Sequence, residues 1–236
     1  MYEIERTIVT ANGKNDAYIL QSFGKHTGFD MNRIPPKMEK KVFETRDLAY
    51  ERFSVTQMYQ TIPIANVDEK TVTTTTGQVF ESKFLPGVLK DSETIVLIAS
   101  ALSGLEEVLE ERTKVTEQMY LDGWATAILS SANLDLRANL KRMIEADGYY
   151  TTSTWSPGQH GFELGNQRPL FEILEPETIG IHLKESLMMI PQKSETMLFG
   201  ISPKEQNDSP IPCTYCPHAA TCPGAFSEQT YDSGMC

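Results

Sequence analysis

The sequence lacks the features that mark secreted, membrane-spanning and nucleic-acid-binding proteins. Its 236 residues contain no uncharged apolar run that approaches the ~18 residues of a membrane span. The first six residues have neither the basic nor the apolar region of a secretory signal. Positive charge is scarce as well, because 21 Lys and Arg stand against 32 Asp and Glu, a net charge of −11 at pH 7. We therefore expect a cytoplasmic protein with no membrane partner and, since an acidic surface repels phosphate, no nucleic-acid partner.

Familiar catalytic motifs are also missing. There is no G-x-G-x-x-G sequence and no Walker loop. The four histidines are His26, His160, His182 and His218, and none lies in H-E-x-x-H or beside a candidate nucleophile. The sequence consequently assigns no catalytic residue to this chain.

Cysteine is absent from the first 212 residues, and all four cysteines fall within the last 24. Three of them form the pattern C-x2-C-x5-C-P at Cys213, Cys216 and Cys222, and the fourth is Cys236. A reducing compartment argues against structural disulfides. Cysteines clustered in this way in a cytosolic protein are typical of metal ligands or redox thiols. We therefore predict a metal site with these four cysteines as its ligands.

Two kinds of metal centre fit the pattern, and one alternative needs no metal. A structural zinc site usually has two knuckles, and here there is one, although His218 could replace a cysteine. An iron–sulfur cluster suits the longer C-x5-C step and the prolines that follow Cys216 and Cys222. The alternative is a tail of reduced, unliganded thiols. The spacing favours metal over no metal, and an iron–sulfur cluster over zinc.

The chain as a whole has an ordinary globular composition, with 40% hydrophobic and 22% charged residues. The apolar run 94–99 predicts a buried strand, followed by a helix that begins at a Ser103-x-x-Glu106 capping box. The remaining predicted elements are helices over 38–59, 117–146 and 164–174, strands over 2–9, 71–76, 179–183 and 197–201, and a loop over 24–36. Because no βαβ rhythm is visible, the fold class is predicted as α+β with an antiparallel sheet.

The region after residue 202 is rich in Pro, Asn, Asp and Ser, which is typical of a linker. We therefore predict two parts: an α+β domain over 1–202, and a linker with a Cys-rich tail over 203–236.

A series of motifs between residues 156 and 200 carries a family resemblance. It begins with Ser156-Pro157-Gly158 and continues through 164–171, 177–186 and 188–194 to Gly200. In this order and spacing the chain resembles the S-adenosylmethionine-binding activation domain of cobalamin-dependent methionine synthase. It resembles more closely the free-standing activation-domain-like proteins of corrinoid methyltransferase systems, which also tend to end in a short Cys-rich tail. The resemblance spans about residues 80–225.

The resemblance implies a ligand-binding loop. In methionine synthase an Arg-Pro-Ala-x-Gly-Tyr segment holds S-adenosylmethionine, and alignment puts Thr154 at the Arg place and Gln159 at the Tyr place. Since these residues lack the guanidinium and the phenol, we expect weaker binding through this loop than in the family. The implied ligand-binding residues are Thr154, Ser156, Pro157, Gly158, Gln159, His160 and Phe199.

The function implied is that of an accessory protein for corrinoid-dependent methyl transfer. In the family, the domain binds S-adenosylmethionine so that one-electron reduction of inactive Co(II) is trapped by methylation. The expected partner is a corrinoid protein or corrinoid methyltransferase, which supplies the corrinoid. The alternative is a non-catalytic protein-binding module whose tail holds a structural zinc ion. A small-molecule methyltransferase is disfavoured, because no residue is placed as a base.

Overall fold

The computed structural model describes residues 2–11, 15–206 and 210–222. They form the α+β fold expected from the sequence. The strands are β1 Thr7–Thr10, β2 Ser54–Val67, β3 Thr71–Thr74, β4 Val79–Glu81, β5 Thr94–Ser103, β6 Tyr150–Thr151, β7 His182–Leu183, β8 Met189–Ile190 and β9 Ser194–Ser202. The helices are α1 Asp16–Thr27, α2 Pro36–Arg52, α3 Leu85–Leu89, α4 Leu105–Glu110, α5 Val115–Ala146, α6 Gln167–Leu174 and α7 Pro212–Tyr215. None of the helices described is long and apolar enough to cross a membrane.

All strand pairings in the described ranges are antiparallel. Seven strands form one sheet in the order β4-β3-β2-β5-β9-β6, with β1 added beside β2. The long strand β2 joins its parts, because its first half pairs with β1 and β5 and its end pairs with β3. Strands β7 and β8 form a separate hairpin. The antiparallel sheet predicted from the sequence is thus confirmed.

Strand β5 lies at the centre of the sheet and is buried on both faces. Ile95, Leu97 and Ala99 face a core that α3 and α6 cover, whereas Val96 and Ile98 face the second half of α5. In a strand that is covered on both sides, polar and apolar residues do not alternate, because neither face meets solvent. This accounts for the continuous apolar run that predicts the strand.

Helix α5 connects the helical part of the fold to the sheet. Its first half packs on α1 and α2, where Trp124 stacks on Phe23 with ring centroids 3.7 Å apart and donates through Nε1 to Val42 O at 3.2 Å. Its second half lays Leu136 and Leu140 on the sheet. The middle of α5 is therefore held from both sides, and this is the part that faces the candidate site.

Two sequence-based boundaries in the first quarter of the chain are wrong. The loop predicted over 24–36 begins inside α1, where a Cβ on Gly24 would lie 2.7 Å from Phe29 O. This glycine permits a close backbone approach and does not mark a turn. The helix predicted over 38–59 ends at Arg52, because the residues from Ser54 onward pair with β5, and residues 56–59 pair with β1 as well. Long-range strand pairing overrides local helix propensity there.

Helix α4 is present, but the capping box predicted for it is wrong. Its N-cap is Gly104, with φ at +94°, and the cap has no side-chain hydrogen bond. Ser103 ends β5 instead, and its Oγ donates to Ser54 O at 3.3 Å. A Cβ at Gly104 would collide with Arg52 O, so both the space and the positive φ require glycine.

The remaining predicted elements are largely confirmed. The helix predicted to end at residue 146 does so, and it is followed by Gly148 at φ +82°. Strand β1 begins at Thr7 rather than at residue 2, and a 3-10 turn over Pro176–Ile179 occupies the start of the strand predicted over 179–183. The predicted helix over 164–174 is a 3-10 turn that continues into α6.

The segment that leads into the cysteines packs on the body of the fold. Ser153 Oγ donates to Pro210 O at 2.7 Å, and Ile211 is 4% exposed. The ring of Tyr215 stacks on Phe84 with centroids 3.8 Å apart and planes 3° apart. The first turn of the tail is therefore a wall of the domain, although the division at residue 202 stays a prediction.

We expect a fragment of residues 1–202 to fold cooperatively but to be less stable than the full chain. It loses the Tyr215–Phe84 stack and the burial of Ile211, so Tyr215→Ala in the full chain should by itself cost about 1–2 kcal/mol. Urea unfolding followed by circular dichroism measures both losses. Tyr215→Phe, which keeps the stack, is the matched control. A 1–202 fragment that does not fold would contradict the division into domain and tail.

Candidate functional site

The loop singled out by sequence is anchored on the sheet by Trp155. This residue is fully buried and forms a bridge with Leu198, with both N–H to O distances at 2.8 Å. Its Nε1 donates to Ser153 Oγ at 3.0 Å. Because neighbouring residues of an extended segment point to opposite faces, Thr154 and Ser156 point away from the Trp155 side. They lie on the α5 side of the sheet.

A tight turn follows at Gly158. Its φ is +97°, and its N–H donates to Phe162 O at 2.8 Å. The Gln159 side chain folds back, with Oε1 accepting from the Ser156 N–H at 2.8 Å. The turn thus fixes Gln159 over Ser156, and glycine at 158 supplies the left-handed backbone that the turn needs.

These side chains form one wall of a cleft between the loop, the middle of α5, β9 and the first turn of the tail. The lining combines hydroxyl, amide and charged groups with the apolar side chains of Met197, Ile211 and Pro212. The residues lining it are Tyr18, Ser130, Asn133, Arg137, Thr154, Ser156, Gln159, Glu195, Met197, Ile211, Pro212 and Cys213.

A chain of buried polar groups leads from the sheet to this cleft. Asn133 Oδ1 accepts from Ser100 Oγ at 2.6 Å and from Gln57 Nε2 at 2.9 Å. Asn133 Nδ2 in turn donates to Glu195 Oε2 at 2.6 Å. Both ends of the amide are thus used, which fixes the position of the Glu195 carboxylate at the cleft.

Burial raises the pKa of Glu195, and the nearby charge of Arg137 together with the Asn133 hydrogen bond partly opposes that rise. The folded protein consequently binds a proton at Glu195 more tightly than the unfolded chain does. A cation placed beside this carboxylate would offset the cost of charging it.

The structure brings together only part of the sequence-predicted ligand set. Thr154, Ser156 and Gln159 line the cleft. Pro157 is buried within the loop, and Gly158 is exposed beside it. His160 is exposed too, and its ring lies 6.0 Å from that of Phe84. Phe199 is 3% exposed and packs in the core beneath α5, so it does not line this cleft.

Three lining residues on α5 were missed by the sequence analysis. Ser130, Asn133 and Arg137 are spaced by three and four residues, which places them on one helix face. A polar stripe of this spacing inside a largely apolar helix is a sequence pattern that indicates a candidate binding face. Tyr18 and Glu195 carry no comparable signal, because α1 was not predicted over Tyr18, and the position of Glu195 follows from the pairing of β9 with β5.

Comparison with solved structures shows a shared fold. The crystal structure of the MetH reactivation domain bound to AdoHcy superposes with a TM-score of 0.60, covering 86% of this chain and 80% of that one. The sequence identity is 15%. No protein-family profile matches the chain, and no curated protein matches it either. The activation-domain-like fold implied by the sequence motifs is thus supported by structure, while the ligand named is that of the neighbouring protein.

The three cysteines within the described residues have free thiols. Cys213 lines the cleft, Cys216 closes a turn by donating its N–H to Cys213 O at 3.2 Å, and Cys222 is exposed. Over 2–11, 15–206 and 210–222, no three Cys, His, Asp or Glu side chains are gathered as a metal-binding group. Cys236, the fourth predicted ligand, lies outside the described residues. The thiol donors suit a soft metal chemically, but the described ones are not assembled around a single point.

Proposed function

We propose that this protein is an accessory protein of corrinoid-dependent methyl transfer, which reactivates or handles a corrinoid protein. In this proposal the cleft between α5 and the 154–159 loop binds S-adenosylmethionine or its product AdoHcy. The corrinoid belongs to a partner, either a corrinoid protein or a corrinoid methyltransferase.

One observation carries the proposal: the fold is shared with a reactivation domain bound to AdoHcy. The cleft adds support, because three residues that the family resemblance selects, Thr154, Ser156 and Gln159, line it together. Its mixture of hydroxyl, amide and charged groups suits a ligand that combines a nucleoside with an amino acid.

The Cys-rich tail is proposed as a second functional element, holding an iron–sulfur cluster, with zinc as the alternative metal. The C-x2-C-x5-C-P pattern supports it. Since Cys213 also lines the cleft, the tail and the cleft are physically continuous. No electron-transfer step is assigned to the tail, because the described thiols are not gathered into one group.

Binding of AdoHcy is the first test. Calorimetry on the full chain should show binding, and Ser130→Phe should abolish it, because the new ring would fill the cleft from the α5 side. Ala138→Phe is the matched control, since this residue is exposed on the same helix and does not line the cleft. Equal affinities in both variants would exclude this cleft as the binding site.

The corrinoid role needs a separate assay. A cobalamin-binding domain loaded with Co(II) cobalamin is mixed with S-adenosylmethionine and titanium(III) citrate as the electron donor. The methyl group passes to the reduced cobalt and AdoHcy is released, which visible spectroscopy follows. Addition of this chain should accelerate the formation of methylcobalamin. AdoHcy binding without any acceleration would favour the alternative of a non-catalytic binding module.

A further inference from the structure

Two charged residues of the cleft belong to different elements and were absent from the sequence-predicted set. Arg137 projects from the second half of α5, and Glu195 from the start of β9. Both are partly buried, and both line the cleft with Thr154 and Ser156. Among the described residues that line the cleft, they are the two that carry a charge.

The position of Glu195 is fixed by the polar chain behind it. Asn133 donates to Glu195 Oε2 at 2.6 Å and is itself held by Gln57 and Ser100. A carboxylate oriented in this way costs little further entropy when it binds a ligand. Arg137 lies one helical turn after Asn133 on the same face of α5, and it lines the same cleft as this carboxylate.

A cation and an anion side by side complement a zwitterion. An α-amino acid carries an ammonium and a carboxylate on the same carbon. A guanidinium binds a carboxylate through two parallel hydrogen bonds, and a buried carboxylate gains from a neighbouring ammonium. AdoHcy, the ligand of the structural neighbour, ends in such a group.

We infer that Arg137 and Glu195 form a subsite for an α-amino-acid end group, with Arg137 binding its carboxylate and Glu195 its ammonium; the inference rests on the proposed ligand of the cleft. Position 154, where the family resemblance places arginine, carries threonine here. The subsite supplies the missing guanidinium from α5. The guanidinium that would select the amino-acid end group therefore lies on α5 in this chain, rather than on the loop.

Three probes separate the parts of the ligand. AdoHcy carries nucleoside and amino acid, 5′-methylthioadenosine lacks the amino acid, and L-methionine lacks the nucleoside. In calorimetry, the unmodified chain should bind AdoHcy at least about tenfold more tightly than 5′-methylthioadenosine. Arg137→Met should remove that preference while leaving 5′-methylthioadenosine affinity unchanged. Glu195→Gln should weaken AdoHcy binding alone.

Two further variants keep the test decisive. Arg142→Met removes an exposed arginine of the same helix that does not line the cleft, and it should leave all affinities unchanged. Arg137→Lys keeps the charge without the two-pronged geometry, so it should retain part of the preference even if Arg137→Met does not fold.

The outcomes distinguish the inference from the proposed function. If AdoHcy binds but Arg137→Met keeps the preference, the subsite is wrong and the proposed ligand stands. If L-methionine binds in an Arg137-dependent manner and AdoHcy does not, the subsite stands and the proposed ligand is wrong. If neither amino-acid ligand binds, both are overturned.

Discussion

Cys213→Ser and Cys216→Ser should each remove most of the metal from the protein purified without oxygen, because each deletes a thiolate that a soft metal requires. Cys222→Ser should act in the same way. Cys236→Ser should have a smaller effect, because this residue stands outside the C-x2-C-x5-C pattern. Metal content by plasma mass spectrometry, together with sulfide analysis, checks the result.

The same preparations identify the metal. A brown protein that contains iron and sulfide supports the cluster, and a colourless protein that contains zinc supports the structural alternative. Thr214→Ser lies between the first two cysteines and keeps every thiol, so it is the matched control and should retain full metal. Full occupancy in Cys216→Ser, or no metal in the unmodified protein, would sink the metal proposal.

Trp155→Ala should lower the free energy of unfolding by about 3–5 kcal/mol, as expected for the loss of a fully buried indole. The substitution also deletes the hydrogen bond from Nε1 to Ser153, which itself holds Pro210 of the tail. Without Trp155, the 154–159 loop and the first turn of the tail, which are two walls of the cleft, should be held less firmly. AdoHcy affinity should therefore fall even at temperatures where the variant is still folded.

The control for this prediction is the second tryptophan. Trp124 is equally buried, but it packs among α1 and α2 away from the cleft. Trp124→Ala should destabilise the fold by a similar amount but lower the affinity of the folded fraction much less, because Trp124 does not line the cleft. Unfolding in urea measures the stabilities, and calorimetry at low temperature measures the affinities. Equal losses of affinity in both variants would show that Trp155 acts through overall stability alone.

The fold class could be predicted from the sequence because the strongest sequence patterns result from burial. The run at 94–99 is apolar throughout since β5 is covered on both faces, and the stripe of α5 repeats every three or four residues since one face packs inward. The boundary at Arg52 was not accessible. Whether residues 54–59 form a helix or a strand depends on β1 and β5, which lie far away in sequence.

The candidate site likewise contains some residues that the sequence could predict and others that it could not. Thr154, Ser156 and Gln159 come from one short loop, so a local motif could select them. The other walls come from α1, α5, β9 and the tail, and only the folded chain brings them together. Phe199 illustrates the reverse case. The resemblance implies a ligand contact for it, but Phe199 lies further along the same face of β9 as Glu195 and Met197, where it packs into the core beneath α5.

The hydrogen-bonded chain Gln57–Ser100–Asn133–Glu195 has a consequence for how this protein can change over evolution. Replacing one member leaves a buried donor or acceptor without its partner, at a cost of about 1–3 kcal/mol. Replacing all four by apolar residues of matching size avoids that cost, but it removes the carboxylate from the cleft. These four positions should therefore be inherited together or lost together. Among homologues, an apolar residue at 133 would identify the lineages in which the cleft has changed its ligand.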